Sequence, residues 1–268
     1  MGAKYEFSGV TQRVGSVELR QIRALRDIPK FGVKAGDLGG WVEKEGNLEQ
    51  AGDAWVSGDA RVSGDARVYG DARVYGDARV SGDARVSGDA RVSGDAWVYG
   101  DARVYGSARV SGDAWVSGDA RVYGSAWVSG DARVYGDARV YGSARVSGDA
   151  RVYGDARVYG DARVYGDARV YGSAWEISPL QIQGSRYFLT TAAADKIAVG
   201  CEVHTVEYWL KNYREIGESH GYSEEELKEY KAFIDLAAQW LKDHVIEVPA
   251  CAECGALLTH GDECPECG

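Results

Sequence analysis

Long apolar runs are missing from this 268-residue chain. No stretch approaches the roughly eighteen consecutive apolar residues of a membrane-crossing helix, and Met1 to Gly9 hold no apolar segment of the kind that opens a secretory leader. Glu6 stands where an N-myristoylation signal requires Ser or Thr. We therefore expect a cytoplasmic protein with no membrane partner. No Gly-Lys-Ser or Gly-Lys-Thr occurs, which excludes a P-loop. Histidine is confined to His204, His220, His244 and His260, so everything before His204 lacks the commonest general base. Phenylalanine numbers 4 against 17 Tyr and 8 Trp, a skew that belongs to one internal stretch. Of five cysteines, four form two Cys-x-x-Cys pairs near the C-terminus and Cys201 stands alone, a pattern that fits a reducing compartment and a metal site better than a disulfide framework.

What is abundant is acid, glycine and repetition. The formal net charge is -10, which argues against general nucleic-acid binding by long-range attraction. That charge is unevenly placed. Gly52 to Tyr171 is twenty unbroken hexads of the form Gly-Asp-Ala-Arg-Val-Tyr/Ser, holding 17 Asp against 16 Arg, whereas the acidic excess lies mainly between Glu202 and Glu247.

Within a hexad, Ala and Val are separated by one residue, as are Arg and Tyr/Ser. A strand Ala-Arg-Val-Tyr/Ser thus turns Ala and Val to one face and Arg and Tyr/Ser to the other. Gly-Asp makes the turn, Gly by its backbone freedom and Asp by bonding local backbone. One hexad cannot bury its apolar face alone, so copies must stack. Each buried Val contributes about 1.5 to 3 kcal/mol before the entropy of ordering the chain is set against it.

These hexads resemble the left-handed parallel β-helix of hexapeptide-repeat proteins, the LpxA-like superfamily, with Val56, Val62 and Val68 at the aliphatic position and Ala60, Ala66 and Ala72 at the small one. The resemblance implies a mainly β solenoid with three hexads per triangular coil, a crossover hand opposite to the usual one, and association into trimers. Ser replaces Asp at Ser107, Ser125 and Ser143, eighteen residues apart, which agrees with three hexads per coil. At that period the outside divides into three faces. One runs through Val56, Val74 and Val92 and carries mostly Ser, with Trp55 and Trp127 far apart. A second holds Trp97 and Trp115 one above the other, an interface candidate for a homo-oligomer. The third carries Arg85, Arg103, Arg121 and Arg139 beside Tyr105, Tyr123 and Tyr141, a basic and aromatic ladder that could grip an anionic or nucleotide ligand. Stacked Asp residues at rung spacing repel by about 1 kcal/mol per neighbouring pair. The expectation is that Arg columns offset this, with a purpose-built binding face as the alternative.

The chain divides into four regions. Residues 1–51 read as a β cap with a first irregular coil, through strands at Tyr5 to Phe7 and Val17 to Leu25; 52–177 is the solenoid. Residues 178–247 read as a hairpin, Arg186 to Thr191 and Lys196 to Val199, with two helices. One helix starts after Thr205 and runs to about Ile216; the other opens on the capping box of Ser223 and Glu226 and runs to about Asp243. Residues 248–268 read as a zinc ribbon, where Cys251, Cys254, Cys264 and Cys267 can close a tetrahedron of four thiolates around structural Zn²⁺, contributing folding energy of order 10 kcal/mol. Four thiolates leave no open position for catalysis.

The whole arrangement, with Arg23 to Asp27, Gly36 to Val42, Asn47-Leu48 and the tail Gly200-Cys201 and His204-Thr205, is similar to hexapeptide-repeat proteins of bacteriophages and prophages, which implies a host-cytosol setting. Hexapeptide proteins also include acyltransferases that use a His as base; here no His lies in the hexads and no loop interrupts them to wall a pocket. Cys201 and His204 invite comparison with a nucleophile pair, though a packed Cys and a His at a helix start explain them as well. Glu224 to Glu226 match a helix N-terminus. Arg and Tyr columns are wrong for ice. The expected function is a non-enzymatic binding or scaffold protein, holding a nucleotide signal or a host protein, with a plain spacer as the bland alternative.

Overall fold

The computed structural model describes residues 2–171, 174–175 and 179–244. Its body is a parallel β-solenoid of about seven turns, with a small sheet-and-helix region after it. The strands are shorter than the expected four residues. Most hexads keep two in the ladder, Arg-Val or Trp-Val, with Ala and Tyr/Ser at the bends and Gly-Asp in the turn; Arg151–Tyr153 and Arg169–Tyr171 keep three. Gly58 to Gly166 hold this turn at φ between 61 and 72°, a region that L side chains adopt only with strain.

Strands pair with those eighteen residues away, Arg73 with Arg91 and Arg91 with Arg109, so the hexads stack into three parallel sheets. In each coil the N–H of the Arg donates to the Ala carbonyl of the next coil, and that of the Tyr or Ser to the Val carbonyl, as in Arg103 to Ala120 (2.9 Å) and Tyr105 to Val122 (3.0 Å). Val and Ala point inward as the alternation requires. Every Ala and Val from Ala54 to Val170 in the hexads is buried.

The first coil is irregular for a countable reason. Val42 pairs with Val62 and Leu48 with Val68, twenty residues apart and not eighteen, because two extra residues lie between Leu48 and Val56. Tyr5–Val14 and Val17–Ala24 form an antiparallel hairpin that joins Leu38–Val42 and extends one of the three sheets beyond the solenoid. Gly39 and Gly40 let this cap close down. A Cβ on Gly39 would lie 2.7 Å from Trp55 and one on Gly40 2.7 Å from the Ala60 carbonyl. Trp55, expected on the outer Ser-rich face, is consequently 1% exposed beneath the cap.

At the other end, Ala174–Trp175 pairs with Arg157 and Val158 at an offset of seventeen, a slip of one residue that ends the repeat. A four-stranded antiparallel sheet follows: Gln181–Gln183, Phe188–Ala193, Lys196–Val199 and Glu202–Thr205. The expected hairpin forms its centre; the two outer strands were not foreseen. Helix α1 (Val206–Ser219) is capped by Thr205, whose hydroxyl accepts the Tyr208 N–H. Helix α2 (Glu224–His244) opens on the capping box, Ser223 and Glu226 each bonding the other's backbone N–H. Its stripe Leu227, Tyr230, Ile234, Ala237 and Leu241 is buried as expected.

A glutamine amide bonds strand backbone at each end of the solenoid. Gln50 Oε1 accepts the N–H groups of Lys4 (2.8 Å) and Tyr5 (3.2 Å) while its amide donates to the Tyr5 carbonyl. Gln181 Oε1 accepts the Tyr165 N–H (3.0 Å) and its amide donates to the Arg163 carbonyl (3.0 Å). Gln181 thus supplies a donor and an acceptor where a further coil would have placed a peptide group, and Gln50 ties the first cap strand to the first coil.

Candidate functional site

On the third face the Arg and Tyr columns exist as anticipated, and they are ordered by the rung spacing. Arg85, Arg103, Arg121 and Arg139 pair strand to strand in one sheet. Two residues on, Tyr105, Tyr123, Tyr141 and Tyr159 form one continuous stack, with ring centroids 4.9, 4.8 and 5.1 Å apart and planes within 7° of parallel. Burial within the stack raises the Tyr123 phenol above its ordinary pKa, with Tyr141 and Tyr105 adding to the effect. The tyrosine rings thus line up beside the cationic column with their hydroxyls available as hydrogen-bonding groups.

Neutralisation of Asp by Arg, the main expectation for these charges, takes the form of longer-range attraction, as of Arg67 on Asp65, and not of contact pairs on this column. Among the described residues no ion pair joins Arg85, Arg103, Arg121 or Arg139 to a carboxylate. The Asp side chains sit at the corners, and those that are paired near the N-terminal end take partners from the cap: Asp65 from Lys44 (2.7 Å), Asp53 from Arg26, and Asp71 and Asp89 both from Lys30. These contacts hold the Asp65 and Asp71 carboxyls below their usual range, chiefly through the hydrogen bond from each lysine. Guanidinium groups elsewhere on the rod lie over rings, as Arg73 does over Tyr75 at 4.7 Å.

Trp97 and Trp115 stack at 5.2 Å on the second face, 4° from parallel. The pair is roofed by cations at both ends, Arg79 over Trp97 (4.7 Å) and Arg133 over Trp115 (5.2 Å), and Tyr99 meets both rings edge-on. Trp115 remains 36% exposed. Sequence reasoning missed that the cap hairpin overhangs this face. Val14, Val17 and Leu19 form one wall of a groove of about 180 Å³ whose floor is Arg61, Ser63, Ser81 and Trp97.

This is a repeat β-solenoid protein. The hexads match the YdcK Beta solenoid repeat in overlapping units that cover residues 54–112, 114–130 and 132–177. A comparison with curated proteins found no match. The repeat match covers the body of the solenoid and leaves the cap and the C-terminal region to be read from their own chemistry.

In the C-terminal region Glu202 lies between two imidazoles, its carboxylate 2.8 Å from His204 Nε2 and 3.3 Å from His220 Nε2. The hydrogen bond to His204 is the main cause of a Glu202 pKa below the usual range, with His220 adding to it. His204 also packs against Tyr208 and Trp209, so its partner is Glu202 and not Cys201. Cys201 is exposed and not packed as expected. Next to it a cleft of about 30 Å³, room for about one water, is lined by Tyr187, Trp209, Tyr222 and Tyr230. Among the described residues no group of His, Cys, Asp and Glu is arranged to hold a metal. Cys251, Cys254, Cys264 and Cys267 lie outside the described residues. No helix among those described is long and apolar enough to cross a membrane.

Proposed function

We propose that this is a non-enzymatic binding protein of phage type whose Arg/Tyr face captures an anionic ligand bearing a planar group, of the nucleotide class. The observation that carries this reading is the column of arginines, in no carboxylate ion pair among the described residues, beside a continuous stack of tyrosine rings. Arg85, Arg103, Arg121 and Arg139 repeat at the strand spacing, so neighbouring guanidiniums can hold phosphate oxygens by charge-assisted, bidentate bonds. An enzymatic reading has less support, since the hexads hold no His and no interrupting loop.

The solenoid is, in this reading, left-handed and triangular, as the hexapeptide resemblance implies. The Trp97 and Trp115 stack serves a trimer seam, and Cys251, Cys254, Cys264 and Cys267 bind one structural Zn²⁺. A nucleotide signal of host defence, sequestered in the cytosol, would be a ligand of the right chemistry. Native mass spectrometry of the protein from its expression host should report one zinc per chain, a trimer and a retained small anion. Calorimetric titration with a panel of cyclic nucleotides should show binding that an Arg103→Ala, Arg121→Ala variant weakens at least tenfold. Denatured protein that releases no small molecule, together with no heat from the panel, eliminates the reading; a retained polypeptide instead would point to a host protein.

A further inference from the structure

The tyrosine stack has a missing rung. Along the column two residues after each Arg, the order is Tyr69, Ser87, Tyr105, Tyr123, Tyr141. Both faces of Tyr123 are covered, by Tyr105 and Tyr141, so no further ring can stack there. Tyr105 is different: Tyr123 covers one face, and the next coil on the other side presents Ser87, which has no ring. Beyond Ser87 stands Tyr69, which is 37% exposed and stacks on no other ring among the described residues.

Two rung spacings of about 4.8 Å separate the backbone positions of Tyr69 and Tyr105 by about 9.6 Å. One planar ring at the midpoint would lie about 4.8 Å from each neighbour, the centroid separation already present between Tyr123 and Tyr141 (4.8 Å). The vacancy therefore has the dimensions of one aromatic ring, with the Ser87 hydroxyl at its floor to meet a polar ring edge.

The electrostatics of this position also differ from the rest of the column. The two strands that lead to Tyr69 and Ser87 are flanked by Asp65, Asp71, Asp83 and Asp89. Three of the four are engaged by cap lysines, Asp65 by Lys44, and Asp71 and Asp89 by Lys30. Arg85 and Arg103 stand exposed beside the vacancy, in no carboxylate ion pair among the described residues. A similar gap at Ser117, between Tyr99 and Tyr135, lacks these features: Trp115 stands beside it with Arg133 already over its ring.

We propose that the vacancy at Ser87 is a ligand site that takes one planar aromatic ring between Tyr69 and Tyr105, with an anionic substituent held by Arg85 and Arg103. That is the chemistry of a mononucleotide, base in the slot and phosphate on the guanidiniums. The site rests on the reading of the Arg/Tyr face as a binding face and gives that face a definite location.

The test is calorimetric titration of the full chain with adenosine monophosphate at low salt, in parallel with Ser87→Tyr. This substitution fills the missing rung with the residue found in the adjoining coils, and an unchanged circular dichroism melt checks that it folds. The expected result is saturable binding by the natural chain, at least a tenfold loss in Ser87→Tyr, and a similar loss in Arg85→Ala. Binding left intact by Ser87→Tyr but weakened by Arg103→Ala, Arg121→Ala overturns the slot while the wider face stands. No binding of the mononucleotide by the natural chain overturns the slot whatever the cyclic nucleotides do.

Discussion

Between Ala54 and Val170 the buried residues are Val, Ala and Trp55, whereas the buried polar residues, Lys4, Asn47, Thr190 and Thr191, all lie in the regions at the two ends. The middle holds itself together by repetition. Each coil meets an identical apolar surface above and below, so stability there is a sum of equal neighbour terms and no side-chain hydrogen bond is needed in the core. An end cannot use that solution, because it must satisfy a ladder on one side and stop on the other. Lys4 Nζ accordingly donates to the carbonyls of Ala54 (2.7 Å) and Ala51 (3.3 Å). Asn47 donates to those of Gly64 (3.0 Å) and Ala66 (2.9 Å), and its own oxygen accepts the Lys44 N–H. Repetition supplies affinity between coils, and specific polar contacts supply termination.

The sharpest way to break this contrast is a charge in the middle. Val116→Asp would put a carboxylate without a partner into a fully apolar stack, and we expect a loss above about 4 kcal/mol, read as failure to fold in urea titration. Ser117→Asp, one residue away on the outer face, should be nearly silent. If both behave alike, the inward and outward division is wrong.

Next in size is a pH effect seated in the N-terminal cap. Burial lowers the Lys4 pKa to about 8 from 10.5, with Arg26 adding to it, so between these values the unfolded chain binds more protons and stability rises with pH. The full span corresponds to about 3 kcal/mol. Burial raises the Tyr5 phenol to about 12 from 10.0, and its contribution, complete below 10, is lost as pH climbs toward 12. Melting temperature should therefore climb from pH 8 to about pH 10 and then fall, and Lys4→Met should flatten the climb; an unchanged slope in that variant would refute the assignment.

Asn47→Ala leaves the Gly64 and Ala66 carbonyls without their donor and should cost about 2 kcal/mol in chemical denaturation. A substitution to Gln that restored full stability would show that position, and not the short amide, is what matters. Smaller still is the backbone term. Gly124 sits at φ 68° with a hypothetical Cβ 3.0 Å from the Gly142 nitrogen, so Gly124→Ala should cost about 1 to 2 kcal/mol. Gly46 in the cap has open space and no positive φ, and Gly46→Ala should be close to neutral.

Much of the solenoid could be read from the chain because its determinants are local. Alternation within Ala-Arg-Val-Tyr fixes which side chains face inward, and Gly at every sixth residue fixes the turns. The helix starts at Thr205 and Ser223 were legible for the same reason, since capping is a contact between residues three apart. The edge strands Gln181–Gln183 and Glu202–Thr205 were not, because neither has a pattern of its own and each exists by pairing with the central hairpin. Lys4 reads as an ordinary terminal lysine until the first coil is laid against it, and Trp55 as an outer-face residue until Gly39 and Gly40 allow the cap to descend.

The candidate site shows the same divide. The sequence alone determined that Arg and Tyr stand in columns on one outer face and that Ser87 interrupts the tyrosines, because a column follows from the period. Tertiary structure decided that these arginines make no carboxylate ion pair among the described residues, that the tyrosine rings stack face to face, and that Lys30 and Lys44 reach from the cap to the carboxylates beside the gap. Charge pairing and ring stacking depend on distances between coils and between cap and coil, and a one-dimensional period contains neither.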